Sequence, residues 1–539
     1  MSAYVFIDVS RKQDYIYAHN RLRENLFRSF VIKSITEAVE DRSYENVISL
    51  YQFLKENSRG YEFVYSGGGN SIIRFESTET AQDFISAYSC RVLEEHPELE
   101  LYISMVTEEE VESKYTYQND EEKERIIREL LREKADRIKD ARRSRFKRWS
   151  CGIEKIDETG HPERVNCKRK DIEETIKKVR DDLFTRFKEL LSINDENSIY
   201  KITAELEDYL KEDGKSYIGV IVIDGNKMGE MVRQINSFRE LRTFSDGINR
   251  LYQISVQEAL RQYADCLKQR ACLPQSPIKI TPILMAGDDI CLIVEAEHAV
   301  ELAGCILFQI QEQSKQLKQN QPDIGRLLPD YLTACSGIAI VRNNYPFFEA
   351  VKFAESLCYQ AKEQIHRLTP ENGQGTANAS FINWKIVESQ VFNAKEYLKN
   401  TARLYDEVFH VKPVRIDQSH AIEGGAGREV YSFASIIRLA TKIKEQNISH
   451  SLLRKLKQQM YSGKEAYSYV LRISGSEDSK RLREIVKDEF GRFEEKGYFV
   501  EDTVIKCTQG DQCVYTYILN DVLELLPYLT LMGETANDQ

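Results

Sequence analysis

Two distant segments of this 539-residue chain share one plan, and that repeat limits the fold more than any other feature. In each, an apolar run ends in aspartate, a helical stretch follows, and two extended runs then flank a turn of glycines and small polar residues. The first copy reads YVFIDVS, with Asp8, and later FVYSGGGNSIIRF, with Gly68, Gly69 and Asn70 at the turn. The second reads YIGVIVIDGNKMG, with Asp224, and later ITPILMAGDDICLIV, with Asp288 and Asp289. Asp8 and Asn70 are 62 residues apart, and Asp224 and Asp288 are 64 apart, so the spacing agrees with the pattern. Each copy continues through a helical stretch into one more strand, Leu101–Val106 and Cys335–Val341. The resulting βαββαβ order predicts an α+β chain with two ferredoxin-like units, in which the first strand lies beside the central hairpin.

The rest of the chain reads as helix. Residues 111–215 have apolar positions at helical spacing inside a heavily charged sequence and predict a helical connector. Residues 386–539 predict a carboxy-terminal helical domain, as in YSFASIIRLATKIKEQ and YILNDVLELLPYLTLM, with the loop EGGAGRE before the first. The two repeat units then occupy residues 1–110 and 216–385. No stretch approaches the length that spans a bilayer, and the amino terminus lacks a basic leader, so no membrane association and a cytoplasmic location are expected. Eleven cysteines without a CxxC spacing fit a reducing compartment. A net charge of −11 argues against a surface built broadly for nucleic acid and leaves only local runs such as ARRSRFKR, which read as a solvated helix face.

The chemistry-bearing residues concentrate in the second copy. Its apolar strand delivers Asp224 into the loop Gly225, Asn226, Lys227, Met228, Gly229, and the hairpin sets Asp288 and Asp289 beside it, with Gly287 able to take the positive φ of a tight turn. Asp-Gly-Asn and Asp-Asp are also common turn residues, but their occurrence at corresponding repeat positions favours chemistry. Three carboxylates crowded together call for cations, and Mg2+ (or Mn2+) suits oxygen ligands and triphosphates. Two such ions would support attack of a ribose 3′-hydroxyl on an α-phosphate, with Asp224, Asp288 and Asp289 both catalytic and metal-binding. The backbone of Gly225 to Gly229, with Lys227, is placed to cradle phosphates.

At these residues the sequence resembles the large palm-domain subunit of type III CRISPR effector complexes, whose hairpin is Gly-Gly-Asp-Asp and whose relatives include GGDEF cyclases. The resemblance covers IDGNKMG, MAGDDICLIV, SGIAIV and NNYPFFEAVKFAESLCYQAKE, and in the first copy DVSRKQDYIYAHNRLREN and YSGGGNSIIRF. It implies two palm domains, a catalytic second palm, ATP as substrate, and cyclic oligoadenylate or a smaller cyclic adenine dinucleotide as product in antiviral defence. It implies that Lys362 reaches the triphosphate. It also implies that the first palm, through Gly68, Gly69 and Asn70, helps hold a second ATP, a role that stands beside a purely structural one. Effector subunits and guide or target RNA are the implied partners.

Three departures from the family pattern bear on function. Ala286 replaces the first glycine of the hairpin; no histidine is followed by aspartate, so no DNase activity is expected; and the paired-cysteine zinc element is reduced to Cys151, His161 and Cys167. Two alternatives stay open: a catalytically decayed scaffold or RNA-binding subunit of an effector complex, and a stand-alone antiviral cyclic nucleotide synthase.

Overall fold

The computed structural model describes residues 2–18, 21–39, 44, 47–142, 169–190, 198–211, 216–367, 378–387, 403–416, 431–474, 476–509 and 512–530. Cys151, His161, Cys167 and the EGGAGRE loop lie outside the described residues. Among those described, no helix is long and apolar enough to cross a membrane.

The first unit is a four-stranded antiparallel sheet of β1 (Ala3–Ser10), β2 (Tyr61–Gly67), β3 (Asn70–Phe75) and β4 (Glu100–Thr107), in the order β2-β3-β1-β4. Between β1 and β2 run α1 (Lys12–Ile16), α2 (Leu22–Thr36) and α3 (Leu50–Asn57), and α4 (Thr78–Glu95) joins β3 to β4. Successive side chains of a strand point to opposite faces. Val5 and Ile7 accordingly pack into the core of α2 and α4, while Tyr4 and Phe6 face Ile127, Leu131 and Ala135. Those three lie on α6 (Asp120–Arg142), which follows the short α5 (Glu108–Lys114) and precedes α7 (Arg169–Leu190). Among its described residues the connector is helical through α5, α6 and α7, but its last part also supplies a short strand, Tyr200–Ile202, which the helical reading of 111–215 did not include; α6 doubles as the cover of the first sheet's second face.

In the second unit, β6 (Tyr217–Gly225), β7 (Ile278–Ala286), β8 (Asp289–Glu295) and β9 (Ala334–Arg342) have the order β9-β6-β8-β7, which matches the first unit strand for strand. Its sheet recruits three further strands: β5 (Tyr200–Ile202) beside β7, β10 (Phe381–Val387) parallel to β9, and β13 (Val414–Arg415) at the far edge. After β6 come α8 (Met228–Gln234) and α9 (Phe238–Gln269); α10 (Ala296–Asn320) follows β8, α11 (Pro322–Gly325) precedes β9, and α12 (Phe347–Arg367) follows it. Ile221 and Ile223 of β6 face α9 and α10, whereas Ile218 and Val220 join the core of α12 and of the first unit. Burial on both faces explains why this strand is almost wholly apolar. The two units therefore share one continuous core.

The carboxy-terminal region has the expected helices, Phe433–Glu445 and Ile518–Leu525 among them. It also has a five-stranded sheet built around the hairpins Tyr498–Glu501, Val504–Gln509 and Gln512–Thr516, which the helical reading of 386–539 did not include.

Candidate functional site

Strand register brings the acidic residues together. Ile223 pairs with Ile290, which sets Asp224, at the end of β6, level with Asp289, the first residue of β8. Ala286 pairs with Asp289 across the two-residue turn Gly287–Asp288, and Gly287 has φ +63°. Asp224 is an even-numbered residue of β6 like Ile218 and Val220, so it projects toward α12. There Lys362 Nζ lies 2.6 Å from Asp224 Oδ2 and donates to Gly225 O at 2.9 Å.

Burial in the surrounding protein, and then the charge of Asp224, push the Asp288 carboxyl up to about 6. For Asp289 the same loss of water, followed by Asp288 and Asp224, pushes it up to about 7. Asp289 nonetheless keeps exposed surface, so its desolvation comes from the mass of protein around the hairpin tip and not from being sealed off. Burial opposes the charge of Lys362, but Asp224 outweighs it and raises the lysine above its ordinary range. Within the second unit Lys362 thus faces three carboxylates, and the residual repulsion is what a divalent cation would relieve.

The glycine after Asp224 is required by close approach. A Cβ at Gly225 would sit 2.6 Å from the Tyr252 hydroxyl and 2.8 Å from Asp288 Cβ. Tyr252, on α9, is buried, and its hydroxyl has no hydrogen-bond partner among the described residues although it lies against the acidic centre. Asn226 is buried and acts as a strut: Nδ2 donates to Thr333 Oγ1 at 2.9 Å and to Ala379 O at 3.2 Å, and its backbone N–H donates to Thr333 O. Lys227 has φ +60° at the start of α8, and burial lowers its pKa. Gly229 has open space where a Cβ would stand.

Oxygen donors with raised proton affinity fit magnesium or manganese. Asp224, turned onto Lys362, leaves the three short of the tightest arrangement. Among the described residues, the one trio whose ligand atoms all lie within 4.8 Å of one another is His410, Asp521 and Glu524. That trio is already neutralised, because Lys412 pairs with both acids and Lys385 lies 3.5 Å from Glu524.

In the first unit the equivalent place is filled by protein. Asp8 pairs with Asn70, and Gly67 pairs with Asn70 across Gly68–Gly69, so Gly69 and Asn70 stand where the second unit has Asp288 and Asp289. This shifts by one residue the correspondence that spacing implied. Both turn glycines have positive φ, +62° and +73°, as a two-residue hairpin turn demands. Asp8 Oδ1 lies 3.1 Å from Lys12 Nζ and Asp8 Oδ2 lies 2.7 Å from Lys139 Nζ. Burial alone would raise Asp8, but the two lysines outweigh it and hold the carboxyl below its ordinary value. Gly69 N–H donates to Glu37 Oε1 at 2.7 Å, and Asn70 Nδ2 donates to Gly68 O at 3.4 Å.

The two tips face each other. Lys12 lowers the proton affinity of Asp289, and Asp14 of the same helix contributes to raising Glu355 on α12 to about 7, after burial. Sequence reasoning missed Lys12, Lys139, Tyr252 and, on α9, Ser245 and Asn249. Lys12 lies only four residues beyond Asp8, but strand β1 ends between them, so the spacing carries no helical signal; Lys139 is 131 residues from Asp8.

The fold and its acidic tip define a palm-type domain. Residues 217–368 match the model of the family described as Cas10/Cmr2, second palm domain. No curated protein matches the chain in sequence. Among solved structures, a chain of the apo Csm1–Csm4 cassette is similar at 13% identity over 98% of this chain and 70% of that one, with a TM-score of 0.49. The cassette in complex with pppApApA gives 14%, 98%, 69% and 0.49, and Csm1 of T. onnurineus gives 14%, 98%, 69% and 0.48. At such scores the likeness is loose.

Proposed function

We propose that this chain is a nucleotidyltransferase that joins ATP molecules by attack of a 3′-hydroxyl on an α-phosphate, yielding cyclic oligoadenylate or a cyclic adenine dinucleotide. The observation that carries the reading is the cluster Asp224, Asp288 and Asp289, with two carboxyls pushed up to about 6 and 7, at the tip of a Cas10/Cmr2 second palm. These three residues would hold Mg2+ or Mn2+, and such an ion would supply acidification of the attacking hydroxyl and charge stabilisation for the departing pyrophosphate. Lys362 exchanges its pairing with Asp224 for the triphosphate, and the Gly225–Gly229 loop with Lys227 lies along the phosphates. The first palm, with Gly68, Gly69 and Asn70, holds the acceptor nucleotide. The setting is type III CRISPR-like antiviral defence, with effector subunits and guide or target RNA as partners.

The test is incubation of the purified chain with ATP and magnesium or manganese, with and without effector subunits and RNA, read by mass spectrometry. Linear or cyclic adenylate products absent from the Asp288→Ala, Asp289→Ala double variant support the reading. Intact ATP under every condition overturns it.

A further inference from the structure

Helix α9 touches the hairpin tips of both palms along one face. Ser245 Oγ lies 3.3 Å from the Tyr65 hydroxyl, which donates to Gly67 O at 3.0 Å; Tyr65 and Gly67 belong to the first hairpin. One turn further along α9, Asn249 Oδ1 accepts the backbone N–H of Gly287 at 3.3 Å, in the second hairpin. Gln253 Nε2 donates to the same oxygen at 3.4 Å and fixes the orientation of the amide. Tyr252 then lies beneath Gly225 and Asp288. Residues 245, 249 and 252 follow the i, i+4, i+7 spacing of one helical stripe. The start of the helix is pinned from the connector, where Glu124 of α6 accepts the Phe238 N–H at 2.7 Å.

The bond to Gly287 matters because a two-residue turn has few conformations, and the one chosen decides where Asp288 points. An acceptor on the Gly287 N–H selects among them. An unbroken helix transmits a shift at Ser245 to Asn249 with little loss, since the two are one turn apart on the same rod.

We propose that Ser245 and Asn249 are positioning residues, through which the first palm's hairpin sets the turn that carries Asp288 in the second. This deepens the proposed nucleotidyl transfer and rests on it for its consequence: seating of a nucleotide at one tip is felt at the other. Neither residue touches the reacting atoms.

The experiment is a double-mutant cycle of Tyr65→Phe and Asn249→Ala on the full chain. Tyr65→Phe removes one hydroxyl on the first palm and keeps the ring, so folding is preserved. Hydrogen exchange of the 286–290 amides and steady-state ATP turnover are measured on all four proteins. The expected result is that Tyr65→Phe speeds exchange in 286–290, which belongs to the other hairpin, and lowers turnover at saturating ATP about tenfold with KM little changed. The double variant is expected to be no worse than Asn249→Ala alone. Additive losses, or exchange changed only around 66–70, overturn the proposal. If the wild type makes no product, the functional reading falls while the exchange arm still decides the linkage: unchanged 286–290 exchange rejects it, faster exchange upholds it.

Discussion

The two palms have the same strand order and the same hairpin register, yet opposite electrostatic fillings. In the first, Asp8 is matched by two ammonium groups, Lys12 and Lys139, and Glu37 accepts from the turn's backbone in an otherwise neutral hairpin. In the second, three carboxylates face Lys362, with Lys12 of the first palm acting on Asp289 alone among them. The first tip is complete within the protein, and the second is left short of positive charge. One backbone plan thus serves either as an internally satisfied joint or as a cation site, and four positions, Gly69, Asn70, Lys12 and Lys139, decide which.

The largest expected effect separates the two. Asp288→Ala with Asp289→Ala is expected to lower product formation at least about a thousandfold, because the cation ligands are lost. The same change leaves the melting temperature of the metal-free protein unchanged or raises it, by relieving repulsion. Asp8→Ala is expected to do the reverse to stability. It strands two partly buried lysines and costs about 1–3 kcal/mol in chemical denaturation. Equal destabilisation by both changes would erase the contrast.

Gly225→Ala comes next. Its methyl meets Tyr252 and Asp288, so a loss of about 1–3 kcal/mol is expected together with reduced turnover, read by denaturation and by product yield. Lys362→Ala should raise KM for ATP while tightening manganese binding, since Asp224 is released from its 2.6 Å ion pair. Weaker manganese binding would show that the lysine supports the carboxylates instead of competing for them. The smallest effect belongs to Tyr252→Phe, which removes a buried hydroxyl without a partner among the described residues and should raise stability by up to about 1 kcal/mol.

The doubled βαββαβ plan was legible because period-two and apolar strands leave a strong local pattern, and Asp224, Asp288 and Asp289 were legible because they punctuate its ends. The sheet extensions were not: β5 and β13 have three and two residues, too short for any periodicity to register. The carboxy-terminal hairpins were masked by the helices beside them. At the site, Lys139 reaches Asp8 from the connector, and the stripe Ser245, Asn249, Tyr252 reads as an ordinary amphipathic helix until its neighbours are known. Contacts made across more than a hundred residues leave no mark in local spacing, and in this chain those contacts distinguish a filled palm from an open one.

Manganese binding to the metal-free chain, titrated by electron paramagnetic resonance, tests that distinction most directly. The account predicts sites that vanish in the Asp288→Ala, Asp289→Ala variant and persist in Asp8→Ala. Sites that survive the first change, or vanish with the second, would contradict it.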